Sequence, residues 1–439
     1  MAGNALADMF RVKELRDRIF YTLFWLMIFR LGVYIPIPGI NAQALRVYFE
    51  GQAAGGNGIT DYLDFFAGGA FKNFSLFMLG VMPYISMQII MQLLLIVVPK
   101  LKKVAEEEGG RKKIQLWTRI GSIFVCFIQG YSVTVWADRI PNAIAMAKVP
   151  YTIIAILTVT TASMFLVWIG EQITKKGIGN GVSLIIFAGI VARLPNAVYE
   201  LGKKISVGDI NPIYAIVVAF MFVGVIALVV FEQQGQRKIP VNYAKRVVGR
   251  KQYGAQNTFI PFKINPSGVI PVIFASSILT FPMQIAQSLG VNHKWLRDVA
   301  YALSPTGWLY DVLYVLFIIF FAYFYTQVTL NPQEISKNIR ENGGSIPGIR
   351  SDKMEEHLTK ILNRIILPGS LYLGFIALLP TLVMTLFKFP SQLAYLLGGT
   401  SLLILVGVDL DTMSQVEALL KMHHHDGLVR KGHIRSRNL

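Results

Sequence analysis

Cysteine is almost missing from this chain. Cys126 is the only one in 439 residues, which excludes a disulfide framework and a thiolate metal site. Carboxylates are also scarce: 25 Asp and Glu stand against 42 Lys and Arg, for a net charge of +17. No Walker-type loop, dinucleotide glycine fingerprint, HExxH or GxSxG is present, so no familiar nucleotide site or hydrolase nucleophile is on offer. The run His423-His424-His425-Asp426 could ligate a metal, but nothing fixes its geometry and a polar tail is the simpler reading. We expect no cofactor, no metal and no catalytic residue; the chain does not read as an enzyme.

What the chain has in abundance is hydrocarbon: 54% of residues are hydrophobic and only 15% charged. Ten apolar stretches lie near 19–38, 74–98, 116–137, 151–173, 179–195, 212–232, 268–290, 308–330, 365–387 and 392–410. A helix needs about 20 apolar residues to cross a ~30 Å hydrocarbon core, so the expected fold is an all-α polytopic membrane protein with ten transmembrane helices. Of the 42 basic residues, 30 fall in the two termini and in the connections between stretches 2–3, 4–5, 6–7 and 8–9. The alternate connections hold ten, and Arg30 and Arg119 lie inside apolar stretches. Basic segments translocate poorly, so this bias predicts that both termini face the cytoplasm. The first stretch is long and nine more follow it, so we expect it to remain as an anchor rather than a cleaved signal.

Counting divides the chain into a tail (1–18), a first half (19–195), a second half (196–410) and a second tail (411–439). An odd number of helices per half makes the two halves enter the membrane from opposite sides, as in inverted repeats. Connections 233–267 and 331–364 each exceed thirty residues, far more than joining two helices requires, and their charge suggests a docking partner. Two segments are abnormal as spans. Residues 61–73 are apolar, too short to cross, and contain Gly68-Gly69; they suit either a short helix dipping in from the outer side or an amphipathic helix on its surface. Stretch 5 is brief and preceded by KKGIGNG, too glycine-rich for a stable helix, so it is expected to start below the membrane surface, where protein or water can satisfy irregular backbone.

Ion-coupled carriers usually place ionisable groups near the bilayer midplane. The apolar cores of stretches 2, 3, 6, 8 and 9 hold no Asp or Glu, which weighs against a solute carrier. The interior instead offers aliphatic pairs four residues apart, Val81 with Ile85 and Val182 with Ile186, near the starts of the two abnormal segments. Ordinary packing would explain such pairs equally well. A membrane scaffold using only its basic loops is the other rival, and it would need no aliphatic ring.

Eight runs, read together and in order, give the chain a family resemblance: FRLGVYIPIPGI (29–40), LGVMPYIS (79–86), GEQITKKGIGNGVSLIIFAGI (170–190), VNYAKR (241–246), GVIPVIFASSI (268–278), TLNPQE (329–334), PGIR (347–350) and GGTSLLI (398–404). The chain resembles the SecY family of bacterial protein-conducting channels, from about Arg11 to residue 420. The resemblance implies a central hourglass pore between the two halves, with a ring formed by Val81, Ile85, Val182, Ile186, Ile273 and Ile404. It implies a plug formed by Asp61, Tyr62, Leu63, Asp64, Phe65, Phe66, Ala67, Gly68, Gly69, Ala70, Phe71, Lys72 and Asn73. It places a lateral gate along helices 2, 3, 7 and 8, with Ser276, Ser277, Thr280 and Phe281 on helix 7 and Gln88 and Gln92 on helix 2; hydrogen bonds across that seam would hold it shut reversibly. Lys245, Arg246, Arg250, Lys251 and Arg350 fall where the family docks the SecA motor or the ribosome, ribosomal RNA included. SecE- and SecG-like membrane subunits, signal-bearing polypeptides and membrane lipids are the other implied partners, and the bacterial cytoplasmic membrane the implied location. Many family members carry Ile where this chain has Val81 and Val182, which would leave the ring slightly wider.

Overall fold

Hydrocarbon offers a backbone no hydrogen bonds, so a spanning segment must satisfy its own, and a helix does so within one segment. The computed structural model describes residues 12–53, 64, 67–138, 140–208, 210–243, 246–248, 251–253, 257–289, 295, 298, 302–304, 307–387, 389, 393–395 and 398–430. Its helices are α1 (Lys13–Gly32), α2 (Ala42–Ala53), α3 (Met82–Val97), α4 (Pro99–Glu106), α5 (Gly110–Ala137), α6 (Lys148–Lys176), α7 (Gly181–Val191), α8 (Leu194–Val207), α9 (Pro212–Gln234), α10 (Ile270–Leu289), α11 (Trp308–Thr329), α12 (Pro332–Glu341), α13 (Met354–Phe387) and α14 (Gly399–Arg430). Among the described residues, seven helices are long and apolar enough to cross a membrane, or eight if α3 and α4, bent by 107° at Val98, count as one. Helix α1, with four charges between Leu15 and Gly32, falls outside that count, as does the apolar helix α10, although both occupy expected spans.

Boundaries differ from the sequence expectation where glycine and proline intervene. The second span begins at Met82 rather than near 74, because residues 67–81 form turns with positive φ at Phe74 (44°) and Gly80 (56°). Pro83 then stands in the first turn of α3, where a missing N–H costs nothing. Helix α14 runs on to Arg430, well past the expected end near 410.

The two sets of five principal helices pack by one scheme. In α1, α3, α5, α6 and α7, the first helix touches the fourth and fifth, and the second through fifth touch in sequence. The same pairings recur among α9, α10, α11, α13 and α14. The sets meet along two lines: α10 lies on α3 and α5, and α14 lies on α7 and α1.

The long connections are not helical loops. Strand β1 (Gln236–Tyr243) pairs antiparallel with β4 (Asn257–Lys263), from Gln236↔Lys263 to Asn242↔Asn257, while β2 (Arg246–Val248) and β3 (Lys251–Tyr253) form a separate two-stranded ribbon. Strand β5 (Gly344–Ser345) adds to the other edge of β1 through Asn242↔Ser345 and Tyr243↔Gly344. One sheet thus ties the 233–267 connection to the 331–364 connection. Ile239 and Val241 alternate with exposed Lys238, Pro240 and Asn242, the period-two pattern of a half-buried strand. They pack with Phe262, Ile339, Ile346 and the start of α13 in a second apolar core.

The turn from α6 into α7 shows why this sequence needs its glycines. Gly179 holds φ at +79°, and a Cβ on Gly181 would sit 1.9 Å from the Gly170 carbonyl oxygen. Gly181→Ala should therefore push α6 and α7 apart and destabilise the protein by about 1–3 kcal/mol or more. Gly224, in α9, has open space around its Cβ position, and Gly224→Ala should leave stability unchanged or raise it by up to about 1 kcal/mol. Thermal unfolding of the two variants in detergent checks the contrast.

Candidate functional site

The six aliphatic positions singled out in the sequence come together. Val81, Ile85, Ile186, Ile273 and Ile404 are buried members of the main apolar core, and Val182 is half-buried against it. Each stands at the beginning of its helix: Val81 is the N-cap of α3, and the others fall within the first six residues of α3, α7, α10 or α14. Four helices therefore start inside the protein and present their opening turns to one place. Those starts need partners for their free N–H groups. At α7, Asn180 Oδ1 accepts from Val182 N (3.1 Å) and Ser183 N (3.3 Å), and Thr174 Oγ1 accepts from Gly181 N (2.8 Å). Further back, Ile178 N donates to Thr22 Oγ1 of α1 (3.1 Å) and Gly179 N to Gln415 Oε1 of α14 (2.9 Å). The six aliphatic side chains thus sit on anchored backbone in or against one apolar core.

Beside the ring lies the 61–73 segment, of which Asp64 and residues 67–73 are described. Asp61, Tyr62, Leu63, Phe65 and Phe66 lie outside the described residues. Residues 67–73 form turns, with Gly68 and Gly69 at left-handed φ of 64° and 93°, while Asp64 is helical. Ala67, Ala70 and Phe71 belong to the same apolar core as the ring, whereas Lys72 and Asn73 are more exposed. Phe71 and Phe74 face Trp136 of α5, each with ring centroids 5.6 Å away.

Charge, absent from the ring, pins this segment. Asp64 is fully buried, and its Oδ1 accepts from Lys72 N at 2.9 Å. Its Oδ2 lies 2.8 Å from Nη1 of Arg193, between α7 and α8, at ion-pair distance without hydrogen-bond alignment. Arg30 Nη1 of α1 donates to the Gly68 carbonyl at 3.0 Å. Breaking one partner of a buried ion pair costs about 3–5 kcal/mol, so the contact is not decorative. From sequence, Asp64 is one of thirteen positions in the implied plug, Arg30 is a charge inside an apolar stretch, and Arg193 has no assigned role. The available signal was their position: an arginine inside or at the end of an apolar span needs a partner. Arg119 obeys the same rule, pairing with Glu171 between α5 and α6. Glu232, buried at the end of α9 with neither carboxylate oxygen hydrogen-bonded, was also missed.

The seam where α10 meets α3 and α5 carries the expected gate residues, though not the expected bonds. Ser276 Oγ donates to the Ile273 carbonyl (2.8 Å) and Thr280 Oγ1 to the Ser276 carbonyl (2.6 Å), both within α10. Ser277 reaches across, its Oγ 3.9 Å from Met82 Sδ. Gln88 is half-buried on α3, and Gln92 Oε1 is buried without a hydrogen-bond partner. Phe281 follows on α10. Ser276 and Thr280 are satisfied within α10 because short hydroxyls in a helix find the carbonyl one turn back first. Of the docking residues, Arg350 is exposed, with Nε 3.5 Å from Asp352. Arg246 and Lys251 begin β2 and β3, and Lys245 and Arg250 lie outside the described residues.

Comparison with known proteins gives this arrangement a context. The family model described as SecY matches residues 75–413. The protein translocase subunit SecY of Borreliella burgdorferi is 44% identical over 416 residues, 94% of each chain. That of Escherichia coli K12 is 40% identical over 429 residues, 96% of this chain and 95% of the other. Among solved structures, a protein-conducting channel superposes with a TM-score of 0.64 at 20% identity, over 91% of both chains. Sec61 of the canine ribosome–channel complex from the endoplasmic reticulum gives 0.61 at 19% identity, again over 91% of both. At those identities the structural likeness speaks to the fold alone.

Because Ser276 and Thr280 bond within their own helix, Ser276→Ala and Thr280→Val should change resting ion conductance in reconstituted vesicles by less than about twofold. A large change for either variant would mean that these hydroxyls hold the seam.

Proposed function

This chain belongs to the SecY family, and from that premise we propose that it is the protein-conducting subunit of a translocase: a channel that passes unfolded polypeptide across the cytoplasmic membrane and releases apolar segments sideways into lipid. The observation that carries the reading is the gathering of six aliphatic positions, from the opening turns of four helices, in or against one core that also holds Ala67, Ala70 and Phe71 of the 67–73 turn. With both termini cytoplasmic, α3 and α14 start on the outer side and α7 and α10 on the inner side. Their starts then meet near midplane, two from each side, as the waist of an hourglass requires. A dry apolar waist opposes ions by dewetting and offers a passing chain no specific hold.

The repeated packing scheme supports a division into two inverted five-helix halves, 19–195 and 196–410, with the ring between them. The 61–73 segment is the plug on the outer side of the ring, and the α10 seam with α3 and α5 is the lateral gate. The sheet-linked connections 233–267 and 331–364 face the cytoplasm with Lys245, Arg246, Arg250, Lys251 and Arg350. Exposed basic side chains there suit ribosomal RNA phosphates, with salt-sensitive binding, or acidic surfaces of a SecA motor. Energy comes from such a partner, and SecE- and SecG-like subunits accompany the chain in the membrane.

A photoreactive residue at position 186, in vesicles engaged with a stalled secretory chain, tests the proposal. The expected result is an adduct to the secretory chain that disappears when its signal sequence is deleted. Adducts at position 350 with none at 186 would mean that polypeptide docks on the loops without passing, and would replace the channel with a receptor.

A further inference from the structure

We propose that Arg193 is the positioning residue that latches the plug, and thereby sets how good a signal sequence must be to open the channel. The inference rests on reading 61–73 as the plug. Three contacts hold the described part of that segment from two directions. Arg193 pairs with Asp64 at 2.8 Å, the Asp64 side chain being 1% exposed and that of Arg193 19%. Arg30, from α1, holds the Gly68 carbonyl at 3.0 Å. Between them Gly68 lies directly against Gly189 of α7, so close that a Cβ on Gly68 would stand 2.7 Å from the Gly189 Cα.

The acid does two jobs at once. Its Oδ1 and its main-chain carbonyl close the turn by accepting from Lys72 N (2.9 Å) and Gly69 N (3.0 Å), while Oδ2 faces Arg193. The turn therefore keeps its shape without help from Arg193, and the ion pair is what fastens the shaped turn to the end of α7. Moving the segment away strands a carboxylate and a guanidinium in a largely apolar interior unless each finds water or another partner. Opening thus carries a fixed electrostatic cost, and a signal sequence must supply enough apolar contact elsewhere to offset it. Since α7 also carries Val182 and Ile186, the latch ties the plug to a helix that contributes to the ring.

The test uses the complete translocase in vesicles, with three readouts: crossing of an intact secretory precursor, resting ion leak, and the ratio of defective-signal to intact precursor crossing. Arg193→Gln should keep intact crossing, raise the resting leak about tenfold, and raise the ratio several-fold. Arg193→Lys, which keeps the charge, should stay within about twofold of the unaltered protein, and Asp64→Asn/Arg193→Gln should leak less than either single change. Leak and ratio unchanged in Arg193→Gln would overturn the latch while leaving the channel standing. Failure of intact precursor to cross with the unaltered protein would instead overturn the channel reading. If Arg193→Gln does not fold, Asp64→Asn decides, because its amide oxygen still accepts from Lys72 N; an unaltered leak there overturns the latch.

Discussion

Backbone that is not helical can exist at membrane depth only where other groups satisfy it, and the start of α7 is where this protein meets that demand most fully. Ile178, Gly179, Gly181, Val182 and Ser183 donate their N–H groups to Thr22, Gln415, Thr174 and Asn180, side chains drawn from α1, α14, α6 and the turn itself. The helix can therefore begin inside the protein, and its first aliphatic residues can face inward. Without those acceptors the chain would have to run α7 out to the surface, and Val182 and Ile186 would lose their position. The near-contact of Gly181 with Gly170 closes the same corner sterically.

Two kinds of interaction divide the work around this anchored core. The ring and the seam depend on apolar contact, which has no direction and re-forms after parting. The hydroxyls of Ser276 and Thr280 are satisfied inside α10, so that helix can move off α3 and α5 without stranding them. The proposed plug is held by charge as well as by apolar packing, through Arg30 and the Asp64–Arg193 pair. Directional contacts sit where one resting position matters, and non-directional ones where surfaces must separate.

Much of this was legible in the sequence. Length and hydropathy located the long apolar helices, and the Lys and Arg asymmetry underlies the proposed orientation. The four-residue spacing of Val81 with Ile85 and of Val182 with Ile186 put each pair on one face; in the structure Val81, Ile85 and Ile186 are buried in one core and Val182 packs against it. The start of α3 was misplaced, since an apolar run such as FSLFMLGV reads as helix until Gly80 and Phe74 are seen at positive φ. The strands around Ile239 and Val241 carried a period-two signal that charge obscured. The pairing of Asp64 with Arg193, 129 positions apart, could not be read at all, because only the folded chain brings distant charges together.

In the proposed channel the aliphatic ring is the main barrier to ions, and the charge-held plug adds to it. Single-channel recording from membranes holding Ile404→Asn measures this most directly, because Ile404 is 1% exposed in the core that holds Val81, Ile85, Ile186 and Ile273 and packs against Val182. A polar side chain there should wet the constriction, and the account predicts resting ion conductance well above that of the unaltered channel. A folded, translocating Ile404→Asn channel that stays as tight to ions as the unaltered one would contradict it.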